Sequence, residues 1–126
     1  MTTALATSER RAFQLLLAVA LVFVTWQALS PAPPLQPQVS DKLLHVGAFV
    51  VLAWLADFGW PDADYWLPKA LPLLGYGVAI ELAQSGIAAR AAEWGDLAAD
   101  AAGLTIYALL APTLRQLPYL ARRWSR

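Results

Sequence analysis

Residues Ala12–Leu29 read AFQLLLAVALVFVTWQAL, 18 positions without a charged side chain, and no charge follows until Asp41. A bilayer's hydrocarbon core takes about 20 predominantly apolar residues per helix. This run therefore reads as a membrane span. It stops at Ser30-Pro31-Ala32-Pro33-Pro34, where a helix cannot continue because proline lacks the N–H and clashes with the preceding turn. Arg10-Arg11 ahead of the run resembles a twin-arginine export signal, and Ala28-Leu29-Ser30 resembles a cleavage site. Against processing, the run exceeds the roughly 7–15 residues of a signal's apolar region, and Pro31 would stand at the scissile bond. An uncleaved anchor is the expectation.

Outward from this run the same pattern repeats. Leu43–Trp60 carries only His45 and Asp57 as ionisable groups, and Ser40 with Asp41 suits a helix start. Trp66–Ser85 carries Lys69 close to its start and Glu81 and Gln84 near its far end, and is weakened by Pro68, Pro72, Gly75 and Gly77. Leu97–Leu114 holds Asp100, with Pro112 near its end and Asp96 placed to cap its start. Gly86 and Gly95 read as a stop and a flexible approach on either side of the intervening loop. The expectation is a single all-α domain over 1–126, a polytopic bundle of four transmembrane helices at 12–29, 43–60, 66–85 and 97–114.

Composition agrees. The 126 residues are 59% hydrophobic and 14% charged, with zero formal net charge and no cysteine; mean hydropathy is +0.49. A soluble domain averages about 45–50% apolar and about 25% charged. Nucleic-acid binding needs a basic face that is missing here. Disulfide, thiolate-metal and cysteine-nucleophile chemistry are excluded together. With four spans, Arg10, Arg11, Lys69, Arg115, Arg122, Arg123 and Arg126 share one side, against Lys42 and Arg90 on the other. The positive-inside rule then puts both termini in the cytoplasm. Trp26 and Trp94 fall at the outer interface, Trp60, Trp66 and Trp124 at the inner one, and Trp54 within the hydrocarbon.

On this map three stretches deliver polar groups to the outer level: Asp41, Lys42 and His45; Glu81 and Gln84; Arg90, Glu93, Asp96 and Asp100. Asp41/His45 and Asp96/Asp100 are spaced i,i+4 and Glu81/Gln84 i,i+3, so each pair shares a helix face. Ionisable groups in spans normally face a bundle interior or a water-filled cavity. The surplus of carboxylates over Lys42 and Arg90 calls for protonation, a bound cation or exposure to water. Gly103 permits a close helix approach beside Asp100. Asp57, Asp62 and Asp64 read as decoration of a solvated turn at the inner end.

The elements DKLLHVGAF (Asp41–Phe49), IELAQ (Ile80–Gln84), and Arg90 with Asp96, Asp100 and Gly103 together resemble the VanZ-like family. Its pattern is D-K-x-x-H, then E-x-x-Q, then R-x5-D-x3-N-x2-G. Asp100 departs from it, standing where the family usually has Asn. The resemblance implies a small bundle of membrane helices in the cell envelope and a link to glycopeptide resistance.

Two functions compete. In one, Asp41, Lys42, His45, Glu81, Gln84, Arg90, Asp96 and Asp100 bind the head group of an envelope lipid or peptidoglycan precursor. Lys42 and Arg90 would then hold an anionic group, with Glu81, His45 and Asp96 as acid/base candidates or cation-binding groups. In the other, the cluster specifies helix packing or a partner: Asp41 caps its helix, Lys42 snorkels, Arg90 pairs with a nearby carboxylate. His45 reads as a hydrogen-bonded interior histidine ahead of a metal ligand, H-E-x-x-H spacing is absent, and no metal or cofactor is assigned. A proton or ion pathway would lack an acidic relay in the inner half, where only Asp57 is available.

Overall fold

The structure is a computed structural model that describes residues 2–30, 41–87 and 93–117, with side chains from Thr7 onward. Among the described residues every element is helical. Helix α1 (Thr2–Leu29) extends well before the apolar run. It closes where the Ser30 backbone N–H and hydroxyl both donate to Trp26 O, just ahead of the prolines. Helix α2 (Asp41–Gly59) opens with Asp41 in its first turn, where a carboxylate complements the helix dipole. Ser40, expected to cap it, lies outside the described residues.

The third expected span divides. Trp66–Ala70 forms a short π-helical segment that continues directly into α3 (Leu71–Gln84). The cause is local: Pro68 and Pro72 supply no N–H, so Ala70 N donates to Tyr65 O and Leu71 N to Trp66 O, both five residues back. Helix α4 (Trp94–Gln116) starts earlier than expected. Glu93 is its N-cap, without a side-chain cap bond, and Asp96 lies in the first turn instead. The reading of Asp96 as the cap is therefore corrected. Gly95, taken as a flexible approach, is already helical.

Three helical stretches, Thr7–Leu29, Asp41–Gly59 and Trp94–Gln116, are long and apolar enough to cross a membrane. Only 6% of the α1 window is buried within the chain, so Leu15, Val19 and Val22 offer a surface suited to lipid. By itself α3 has 14 residues, about 21 Å at 1.5 Å per residue.

Contacts define an up-down-up-down arrangement. Gln14 Nε2 of α1 donates to Gly59 O at 2.9 Å, and Arg10 pairs with Asp62 just beyond the end of α2. At the opposite end Gln84 Nε2 reaches Ala28 O, with Thr25 and Tyr76 hydroxyls 2.7 Å apart between. Helices α2 and α4 run parallel, and their backbones touch at Gly103. A Cβ there would stand 2.5 Å from Val46 O and 3.2 Å from Val50 N. Phe49, Leu52, Ala53, Leu55 and Ala56 of α2 form the core with Leu17, Leu73, Leu104 and Tyr107 from the other three helices. Lipid tails are as apolar as leucine, so such a bundle depends on close packing and interhelical polar contacts rather than on escape from water. Trp54 packs edge-on against Phe13 and Phe58.

Candidate functional site

Parallel packing of α2 on α4 brings the two acidic helix starts side by side. Lys42 Nζ lies 2.5 Å from both Asp96 Oδ1 and Glu93 Oε2. One turn further on, His45 Nδ1 meets Asp100 Oδ1 at 2.7 Å. The other ring nitrogen, Nε2, faces Asp96 Oδ2 at 3.6 Å and Asp41 Oδ2 at 3.8 Å. Helix α3 adds Glu81, whose Oε2 accepts the Glu93 backbone N–H at 3.0 Å. Glu81 is 4% exposed, and its Oε1 has no hydrogen-bond partner among the described residues. Its carboxylate is close enough to Asp96, His45 and Asp100 to feel their charges.

Of the expected site residues, Asp41, Lys42, His45, Glu81, Asp96 and Asp100 thus converge. Gln84 is buried but spends its donor on Ala28 O of α1, linking two helices; its Oε1 is unpartnered among the described residues. Arg90 lies outside the described residues. The structure adds three residues that spacing did not single out as site members. Glu93 bridges Lys42 to the α3 carboxylate. Gly77 leaves room for Asp100, since a Cβ there would stand 2.7 Å from Oδ2, and Gly95 does the same for Lys42 Cε. Read along the chain, Gly77 looks only like a weak point in a helix and Gly95 like a flexible approach to one.

The polar character of this cluster limits its chemistry. Lys42 is already engaged by two carboxylates, which neutralise its charge and leave one N–H donor for a further partner. The carboxylates of Asp41, Glu81, Glu93, Asp96 and Asp100 outnumber Lys42 and His45, which favours hydrogen-bond donors or a cation as ligands. His45, oriented by Asp100, is the group best suited to move a proton.

A second polar centre lies about 18 Å away along α2, 12 residues at 1.5 Å each. Asp57 is 0% exposed, which corrects its reading as part of a solvated turn. Lys69 Nζ donates to its Oδ1 at 2.6 Å, Tyr107 OH to its Oδ2 at 2.7 Å, and Arg115 Nη2 approaches both oxygens at 3.4 Å. Lys69 is accordingly 4% exposed and is not the loop charge counted towards orientation. Tyr65 OH donates to Leu104 O, and its ring lies 5.5 Å from that of Tyr107. Burial, with the nearby Asp57 charge, pushes the Tyr65 phenol above its ordinary pKa and keeps that donor protonated. The signal was present in the sequence, an ionisable residue within an apolar helix, but its partners were not.

A groove of about 350 Å³ between the π segment, α3 and α4 is lined by Trp66, Leu67, Leu71, Leu74, Leu104 and Thr105. Its walls are apolar and belong to neither polar centre. No protein family, curated protein or solved structure matches the chain.

Proposed function

We propose that the chain is a VanZ-like, multi-pass protein of a bacterial-type plasma membrane whose His45 cluster recognises the head group of an envelope lipid or peptidoglycan precursor. The fourth crossing in this reading is the π segment run on into α3, five residues continuing into 14 and together about 28 Å long. Arg10, Arg11 and Arg115 belong to the Asp57 end, which supports a cytoplasmic position for it even with Lys69 neutralised. The His45 cluster then faces outward, within reach of lipid head groups.

One observation carries the reading. Glu81 Oε1 is a buried acceptor without a donor among the described residues, and Oε2 of the same carboxylate is tied through Glu93 to the Lys42–Asp96 contact. Leaving such an atom unpaired is costly, and a ligand hydroxyl, amine or amide N–H would satisfy it. Sugar–peptide and amine-bearing lipid heads are rich in those groups. Glu81, His45 and Asp96 are the residues placed to exchange protons with such a ligand. The link to glycopeptide resistance rests on the family resemblance alone.

Native mass spectrometry of gently purified wild type beside Glu81→Gln and Arg90→Ala tests this. The expected result is a specific lipid adduct on the wild type that both folded variants lose. A second reading is favoured by Lys42–Asp96 and His45–Asp100, which tie α2 to α4: the cluster as a packing device. It predicts no adduct, and variants that lose folded yield or subunits instead.

A further inference from the structure

We propose that Asp41, His45 and Asp96 form a divalent transition-metal site, with Zn²⁺ as the ion that fits it best. This does not rest on head-group recognition, since the chain alone supplies the ligands. One donor atom from each residue lies within 4.8 Å of the others. His45 Nε2 stands 3.6 Å from Asp96 Oδ2 and 3.8 Å from Asp41 Oδ2. Both separations are too long for hydrogen bonds. They are close to the roughly 3.4 Å between neighbouring donors of a tetrahedral zinc ion with bonds of about 2.1 Å.

The other ring nitrogen explains why Nε2 is the coordinating atom. An ionised Asp100 only accepts, so the 2.7 Å contact makes Nδ1 the donor. In the neutral imidazole the Nε2 lone pair then points at the two carboxylates. A metal-bound histidine whose second nitrogen donates to a carboxylate is the usual outer-shell support for such a site. Here Asp100 fills that place, and Gly77 makes the space for it.

An independent observation points the same way. Glu81 is 4% exposed, its Oε1 is unpartnered among the described residues, and its carboxylate senses Asp96, His45 and Asp100. Asp96 and Asp100 are buried as well, and the cations in contact with them among the described residues are His45 and a Lys42 shared with Glu93. Charges held in a low-dielectric setting need compensation. A doubly charged ion among Asp41, His45 and Asp96 supplies it, and one imidazole with carboxylates is a donor set that suits zinc and, less closely, manganese.

The test is calorimetric titration of ZnCl2 and MnCl2 into the full, tag-free chain, stripped of metal and held in detergent without added lipid. Expected is saturable one-to-one Zn²⁺ binding. His45→Asn should weaken it by at least about 100-fold, and Asp100→Asn by about 10–100-fold as an outer-shell change. Asp41 is exposed, so Asp41→Asn removes the charge of one ligand without disturbing the buried contacts and decides the matter if His45→Asn fails to fold. A shift of the His45 Nε2 resonance on adding Zn²⁺ is expected in parallel. Absence of saturable binding by either ion, or equal affinity in wild type and Asp41→Asn, overturns the site. Because no lipid is present, failure here leaves the lipid-adduct measurement to stand or fall separately.

Discussion

The two ends of α2 both carry buried charge, and they handle it differently. At the carboxyl end a single carboxylate, Asp57, receives hydrogen bonds from Lys69 and Tyr107 and the near approach of Arg115. At the amino end carboxylates exceed cations, Lys42 is shared between two of them, and Glu81 Oε1 is left over. A buried charge whose partners are complete within the chain holds a fold in one arrangement. A buried group whose partners are incomplete is where something from outside can bind. The Asp57 carboxylate accordingly serves the fold, and the His45 end carries both proposals.

Lys69→Met gives the largest expected effect, because it leaves Asp57 buried beside only a tyrosine and a more distant arginine. A loss of about 3–5 kcal/mol is expected, read as a lowered unfolding temperature in detergent or a collapse in folded yield. Converting Asp57→Leu in the same chain should restore much of it. A single variant as stable as wild type breaks the contrast between the two ends.

Next comes Gly103→Ala, which drives a methyl group to 2.5 Å from Val46 O. Overpacking of this kind costs about 1–3 kcal/mol, and the same thermal melt measures it. Gly77→Ala sharpens the comparison, since its obstacle is the Asp100 carboxylate at 2.7 Å rather than backbone. The carboxylate can swing away from His45, so ligand or metal binding should fall more than stability does. Equal losses from both glycine variants would mean that Gly77 serves packing alone.

Lys42→Met should lower the unfolding temperature by less than Lys69→Met does. Its side chain is 43% exposed and Glu93 57%, so water replaces the lost partner at Glu93, and His45 stays near Asp96. The smallest effect belongs to Arg10→Ala, which removes an exposed pair with Asp62. Such pairs contribute about 0–1 kcal/mol, and a larger shift would show that α1 is fastened to the bundle through Arg10.

Much of this molecule is legible along the chain. The Ala12–Leu29 run, the prolines after Ser30 and the i,i+4 spacing of Asp41 with His45 each report a local property, apolar length, a missing N–H or a shared face. The bounds shifted where tertiary contacts or proline chemistry intervened: α4 begins at Trp94, and the stretch ahead of α3 is π-helical around Pro68 and Pro72. Asp57 was misread because Pro61-Asp62-Ala63-Asp64 beside it carries the marks of a solvated turn. Nothing local distinguishes an aspartate on the last turn of a buried helix from one in that turn. The roles of Lys69, Tyr107 and Arg115 were invisible for the same reason, each lying 12 to 58 positions from Asp57.

The sequence by itself determined that this is a helical, membrane-type chain and which residues are too polar for the helices that hold them, because chain length, hydropathy and proline act within a few residues. Only the tertiary structure decided which of those charges are answered and which are not. That depended on α2 and α4 lying parallel with their backbones touching at Gly103, which sets Asp100 against His45 at one end and Tyr107 against Asp57 at the other.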